Sequence, residues 1–211
     1  RMRDPYGNDE VTEFYAGIVD ISGDVPTELV QVERSGFYST LSPDANMMFS
    51  SSETGALDLW DAETGVWLNQ QAINGYTLTQ PDWSPSGTQI VAVDAEELYG
   101  ECCFNRGALV LLPVDETGNL GEPTLLYAPV DEQQNTLNVF YPTFSPDGRW
   151  IAFNIGLGSG YDSDNAQLYV ISVDGGDPIP LGAANFGEAY PNSWPRWGPL
   201  PDDDVFWLTF A

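Results

Sequence analysis

A short motif recurs four times along this chain, and the repetition constrains the possible fold more than any other feature. Each copy carries an apolar or aromatic residue, a Ser or Gly, a Pro and a turn, followed by a strand-like run. The copies read YSTLSPDANMMFS, QPDWSPSGTQIVAV, YPTFSPDGRWIAF and WPRWGPLPDDDVFWLTF. Their Ser or Gly positions are Ser42, Ser84, Ser145 and Gly198, which lie 42, 61 and 53 residues apart. Repetition on this length scale indicates a tandem arrangement of one structural unit.

The motif is typical of a tight β-hairpin. In the third copy, Pro146 presets the first turn position, Asp147 can bond back to the backbone, and Gly148 suits a positive φ. Residues after the turn alternate in the period-two manner of a half-buried strand. The first and last copies lack the glycine, so we expect their loops to differ from the others. We interpret the polar turn residues as structural rather than as a chemical site.

Two further strand-like runs, joined by a turn, lie between successive copies. They read ALDLWDAETGVWLNQ, ALVLLPVDETGNLGEPTLLYAP and QLYVISVDGGDPIPLG. The repeating unit is therefore four short antiparallel strands, and no stretch shows sustained helical periodicity. We predict an all-β protein, a β-propeller built of four-stranded antiparallel blades.

The repeat divides the chain into three full blades and two half blades. The full blades are predicted at about 35–70, 76–128 and 138–182. The half blade at 14–33 would supply third and fourth strands, and the half blade at 189–211 would supply first and second strands. Residues 1–211 are then a single propeller domain or a fragment of one.

The sequence FSPDGRWIAF followed by QLYVISVDGGDPIPL resembles the repeat of TolB-like propellers, also called WD40-like Pro-Asp repeats. The resemblance covers about 14–210 and is strongest at 145–153. It implies a location outside the cytoplasm, in the periplasm, at the cell surface or secreted. The same repeat occurs in propeller domains of prolyl-oligopeptidase-type enzymes, so it does not assign an activity.

Two assemblies fit this arrangement of blades. The half blades could close a compact four-bladed ring, or the chain could form part of a ring of roughly six to eight blades. We favour the larger ring, because TolB-like rings usually have more blades. An open ring exposes unpaired strand edges, which a partner chain or further sequence would have to cover.

The charge balance restricts the partners. The chain has six Arg, no Lys and no His against 32 acidic residues, giving a net charge of −26. Such a surface repels nucleic acid and anionic lipid. No run of about 18 apolar residues occurs, so no membrane insertion is expected. We therefore expect a protein partner or a larger assembly, with a cationic protein or metal ions also compatible with the charge.

The absence of His excludes Ser-His-Asp and Cys-His nucleophiles and the usual zinc hydrolase sites from this chain. Catalysis would have to rest on carboxylates, tyrosines or arginine. The leading hypothesis is a non-enzymatic interaction or assembly module. The alternatives are a carboxylate-based, carbohydrate-active propeller enzyme and the propeller domain of a prolyl-oligopeptidase-type peptidase.

Two loops carry candidate sites for an ion or a disulfide. Asp162, Asp164 and Asn165 place oxygen atoms at near-alternate positions of a Gly-rich loop, which suits calcium, and no other cofactor is expected. Without the glycine and downstream glutamate of an EF-hand, the pattern also fits a hydrated acidic loop. Cys102 and Cys103 are adjacent, and we expect a free pair or a vicinal disulfide rather than a metal site.

A third candidate site precedes the last copy of the motif. Tyr190, Asn192 and Trp194 lead into a first strand, and the geometry of the resembled family would place them near the mouth of the central channel. They are candidate contacts for a ligand or a partner, although core or loop packing explains them equally well.

Overall fold

The computed structural model describes residues 16–19, 25, 29–32, 36–99, 102–130, 137–161, 163–185, 192–198 and 205–211. Within these residues every regular element is a β-strand, and sixteen strands follow one another in chain order. Three sheets have four antiparallel strands each, and two sheets have two. The prediction of an all-β propeller with four-stranded blades is confirmed.

In each blade, consecutive strands run from one edge of the sheet to the other. Blade 1 contains β3 (Ser39–Leu41), β4 (Met47–Ser51), β5 (Leu57–Asp61) and β6 (Trp67–Gln71). Blade 2 contains β7 (Leu78–Trp83), β8 (Gln89–Tyr99), β9 (Cys103–Pro113) and β10 (Thr124–Tyr127). Blade 3 contains β11 (Leu137–Phe144), β12 (Trp150–Leu157), β13 (Gln167–Ser172) and β14 (Ile179–Pro180).

Each two-stranded sheet lies beside a complete blade. The N-terminal pair is β1 (Ala16–Ile18) with β2 (Val30–Val32), and the C-terminal pair is β15 (Arg196–Trp197) with β16 (Leu208–Thr209). The N-terminal pair packs on blade 1 through Ile18 and Val32, and β15 contacts β11 of blade 3. In the described part of the chain, no helix is long and apolar enough to cross a membrane.

The motif turns are closed by their serine side chains. The Ser145 hydroxyl accepts a hydrogen bond from the Trp150 amide at 3.0 Å and donates to Asp147 at 2.5 Å. Gly148 has a φ of 69° and donates its amide to the Ser145 carbonyl at 2.8 Å. The residues of the motif therefore form the hairpin between the first and second strands of a blade.

The first copy of the motif has the same turn although its glycine is missing. Ala45 occupies the glycine position with a φ of 58°, and the Ser42 hydroxyl accepts from the Met47 amide at 3.0 Å. The expectation of a different loop at this copy is wrong. The serine bridge and the strands on both sides impose the left-handed conformation on Ala45, at a cost in backbone strain.

Apolar side chains fill the space between successive blades, where burial of each large side chain contributes roughly 1.5–3 kcal/mol. Blades 1 and 2 meet at Phe49, Leu59, Leu78, Trp83, Ile90 and Leu112. Blades 2 and 3 meet at Val91, Leu109, Val139, Phe144, Phe153 and Ile171. This packing sets the first strands β3, β7, β11 and β15 side by side along the inner edge of the blades.

Candidate functional site

At the inner edge of the blades, the backbone has a positive φ at the same repeat position in three of the four motif copies. Gln80, Tyr141 and Trp194 each precede a proline, and their φ angles are 50°, 54° and 54°. The strand register shifts between Thr79 and Asp82, and again at the equivalent place in β11. Positive φ is unusual for residues other than glycine, and such bulges redirect a side chain away from the regular ladder.

These three residues meet at the inner edge together with Tyr38, which holds the equivalent position in the first copy. The ring of Tyr141 lies 5.9 Å from the ring of Tyr38 and 4.7 Å from that of Trp194. The Gln80 side chain accepts the Tyr141 amide hydrogen at 2.6 Å. We call these four residues, which lie four positions before each motif Ser or Gly, the aromatic layer.

The two tyrosines of the aromatic layer are held neutral. Burial raises the pKa of Tyr38 to about 12 and raises the pKa of Tyr141 well above its usual range. The Tyr38 hydroxyl donates to the Cys102 carbonyl at 2.8 Å, and the Tyr141 hydroxyl donates to the Tyr161 carbonyl at 2.9 Å. Both phenols are therefore fixed hydrogen-bond donors and are unsuited to act as bases near neutral pH.

A second layer of equivalent residues lies two positions before each motif Ser or Gly. These residues, which we call the polar layer, are Thr40, Asp82, Thr143 and Arg196. The Asp82 carboxylate accepts from the Phe144 amide at 2.7 Å and from the Thr40 hydroxyl at 3.4 Å. One carboxylate thus links the first strands of blades 1, 2 and 3.

Burial raises the pKa of Asp82 to about 6, against the opposing effects of the Phe144 amide and the Arg196 charge. Although the residue retains some accessible surface, desolvation of the carboxyl group is the dominant influence on its pKa. With a pKa of about 6, Asp82 changes its charge close to neutral pH. It is the single acidic residue of the polar layer.

The long hairpin of β8 and β9 covers one end of the aromatic layer. Phe104, near its tip, is fully buried, and its carbonyl accepts the Gly160 amide hydrogen at 2.9 Å. Gly160 in turn accepts from the Gln80 side chain at 3.1 Å. Cys102 and Cys103 form a disulfide at the tip of this hairpin, next to Tyr38.

Of the two described residues that were predicted for the channel mouth, Trp194 lies in the aromatic layer. Its side chain is 44% exposed. The Asn192 side chain instead donates to the Ala184 carbonyl at 2.8 Å, so it holds a loop in place. Tyr190 lies outside the described residues.

The calcium site stays a prediction. Asp162 lies outside the described residues, and Asp164 is exposed. The Asn165 side-chain oxygen accepts from the Leu157 amide at 2.7 Å and from the Ser163 hydroxyl at 3.0 Å, so it closes its own loop. Among the described residues, no three His, Cys, Asp or Glu side chains are grouped to hold a metal ion.

Sequence reasoning missed most of the two layers, although the signal for them is present in the repeat. Tyr38, Gln80 and Tyr141 share one offset from the motif serines, and Asp82 shares another with Arg196. Aligning the four copies by their Ser or Gly would have placed each set on neighbouring strands, because equivalent positions of a propeller blade face the same axis.

No protein-family model and no curated protein matches the chain. Among solved structures, the β-propeller domain of Cps50 (Swd1) from Myceliophteria thermophila is 16% identical, with 90% of this chain and 58% of that chain covered and a TM-score of 0.54. Hydrazine synthase from Kuenenia stuttgartiensis is 18% identical, with 79% of this chain and 47% of that chain covered and a TM-score of 0.49. A protein assigned as TolB from Agrobacterium tumefaciens is 19% identical, with 77% of this chain and 65% of that chain covered and a TM-score of 0.37.

The likeness to the Swd1 propeller domain supports the propeller fold and leaves the function open. The chain spans between about half and two thirds of the length of the matched chains. At such low identity, the likeness to the Swd1 propeller domain shows only that the blades share a fold.

Proposed function

We propose that this chain is a non-enzymatic interaction module, a TolB-like propeller that acts outside the cytoplasm and binds a protein partner at the aromatic layer. The observation that carries the proposal is the position of Trp194, 44% exposed and resting on the buried Tyr141 ring at 4.7 Å. Trp and Tyr are enriched among the residues that dominate binding energy at protein interfaces. Trp194 therefore offers an anchor for a partner.

The residue that supports the anchor is fixed before a partner arrives. The Tyr141 amide donates to the Gln80 side chain and the Tyr141 hydroxyl donates to the Tyr161 carbonyl, so the backbone and the ring of Tyr141 are both held. A side chain that is already in its bound conformation loses less entropy on association, so this rigidity supports tight binding. The net charge of −26 favours a partner with a basic surface, since opposite charges accelerate encounter.

The polar layer supports binding over carbohydrate hydrolysis. Glycosidases use two carboxyl groups about 5–9.5 Å apart. In the polar layer Asp82 is the single carboxylate, and the other three positions are Thr40, Thr143 and Arg196. This arrangement lacks the second carboxyl group that either glycosidase mechanism would need within the layer.

The disulfide supports the proposed location. Disulfides persist in oxidising environments such as the periplasm and the cell exterior and are rare in the cytosol. The Cys102–Cys103 bond therefore agrees with the location that the TolB-like repeat implies.

The test is an affinity capture with matched baits. Wild-type protein, Trp194→Ala and the control Trp207→Ala, which removes an exposed Trp outside the aromatic layer, would each be incubated with extract of the native source. We expect one protein to be retained by the wild type and the control and lost with Trp194→Ala. Calorimetry with that protein, once purified, should show at least roughly tenfold weaker binding to Trp194→Ala. Equal binding to all three baits, or none to the wild type, would contradict the proposal.

A further inference from the structure

A groove of about 810 Å³ lies between the N-terminal pair and the outer strands of blade 1. Trp60 forms its floor, with 5% of its surface exposed and its indole N–H donating to the Ser50 hydroxyl at 2.9 Å. Val32 and Met48 pack around Trp60. The floor of the groove is thus part of the core, and its shape does not depend on a ligand.

An exposed aromatic ring and a carboxylate are in contact in this groove. Trp67 is 52% exposed, and its indole N–H donates to Asp58 Oδ1 at 3.2 Å. Gln70, which lies directly across from Asp58 in the strand register, donates to the same oxygen at 3.1 Å. Both bonds orient the carboxylate, and both are made to Oδ1.

A glycine permits the close approach of the two sheets at the groove. Gly65 has a φ of 70°, and a Cβ atom placed on it would lie 2.7 Å from the Gln31 carbonyl oxygen of the N-terminal pair. Only glycine allows this approach of the turn to the neighbouring strand. The groove therefore has a tightly packed boundary between Gly65 and Gln31.

Among the described residues, the groove has a negative charge without a basic side chain to balance it. Its described lining contains Asp58 but no Arg, and the chain has no Lys. Two of the described arginines form ion pairs elsewhere, Arg106 with Glu96 and Glu97, and Arg149 with Asp147. A ligand that fits this groove should therefore bring a positive charge to Asp58.

We propose that the groove binds an arginine side chain presented by an exposed basic segment of a partner protein. A guanidinium group can stack on the face of Trp67 and donate to Asp58 in the same pose, because it is flat and carries several N–H donors. A lysine ammonium group is a compact point charge that lacks this planar match. The net charge of −26 draws such a segment to the surface before the specific contact forms.

This groove extends the proposed interaction function to a second surface. Trp67 lies on β6, the outer strand of blade 1, whereas Trp194 precedes β15 at the inner edge. The two sites can therefore be tested separately, and a peptide assay on the groove does not depend on a partner being found for Trp194.

The experiment is a fluorescence anisotropy titration with three labelled peptides of the same length, in which one central position is Arg, Lys or the neutral isostere citrulline. The proteins are the full chain, Asp58→Asn, Trp67→Ala and two controls, Glu122→Gln for loss of an exposed charge and Trp207→Ala for loss of an exposed ring. We expect saturable binding of the Arg peptide. Each groove variant should weaken it about tenfold, as for loss of one charge-assisted or aromatic contact, and the controls should not.

Three outcomes would overturn the proposal. Equal affinities for the Arg and Lys peptides would show a general attraction to the acidic surface. Equal affinities for the Arg and citrulline peptides would show that the positive charge of the side chain does not contribute to binding. Unchanged binding in Asp58→Asn and Trp67→Ala would place the peptide elsewhere. Circular dichroism of each variant confirms that a loss of binding is not a loss of folding.

Discussion

The backbone amide of Phe144 donates a 2.7 Å hydrogen bond to the carboxylate of Asp82, and this bond joins the first strands of blades 2 and 3. It is shorter than the 3.4 Å bond from the Thr40 hydroxyl to the same carboxylate. Burial raises the pKa of this carboxyl group to about 6. The junction between the two blades is therefore coupled to the protonation of one side chain.

This coupling predicts a pH-dependent stability. Because the folded pKa of Asp82 lies above the ordinary Asp value of about 3.9, its stabilising contribution is fully present below pH 4 and is lost as pH rises through 6. Asp82→Asn removes the titration and keeps the shape. The free energy of unfolding of the wild type should therefore fall by about 2 kcal/mol relative to Asp82→Asn between pH 4 and pH 7. Urea unfolding at several pH values measures the difference, and a pH-independent difference would contradict the raised pKa.

Ala45 predicts a stabilising substitution. Its φ of 58° is unfavourable for alanine and accessible to glycine. Ala45→Gly should raise the free energy of unfolding by about 0.5–1 kcal/mol, despite the greater freedom of glycine in the unfolded chain. The reverse change in the third copy, Gly148→Ala, should lower it by a similar amount. Chemical denaturation tests both, and the same sign for the two variants would refute the interpretation.

Removal of the buried Gln80 side chain should cause a large loss of stability. It accepts from the Tyr141 amide and donates to the Gly160 carbonyl, and only 3% of its surface is exposed. Gln80→Ala leaves both groups without this partner, so it should cost about 2–4 kcal/mol. The exposed Gln167→Ala serves as the control and should change stability by less than about 0.5 kcal/mol. Thermal unfolding of both variants provides the comparison.

The disulfide predicts a specific alkylation result. Cys102 and Cys103 should resist alkylation in the unfolded protein until a reductant is added, after which both should react. Reduction should leave the core intact, because a bond between adjacent residues closes a very small loop and restricts the unfolded chain little. Mass spectrometry counts the alkylated cysteines, and alkylation before reduction would show a free pair.

Local sequence was sufficient to predict the strands and most turns of the blades, because these elements depend on residues that are close together in the chain. Pro146 restricts its own φ, Gly148 can adopt the positive φ that the turn requires, and the Ser145 hydroxyl closes the turn on the strand that follows. The same local reasoning failed at Ala45. There the strands on either side override the preference of a single residue, and such an override depends on packing rather than on the residue itself.

The sequence by itself determined the four-stranded unit, its number of copies and the turns that contain glycine, since these follow from hydrophobic periodicity and turn chemistry over short distances. Only the tertiary structure decided which residues meet. Asp82 acquires its raised pKa from burial after the blades stack, and Trp194 gains its support from a Tyr141 ring that is 53 residues away in the chain. Trp67 and Asp58 likewise line a groove only once the N-terminal pair packs against blade 1. Desolvation and contact between distant strands arise only when the blades pack together. They therefore decide which residues of the repeated blades form the proposed binding surfaces.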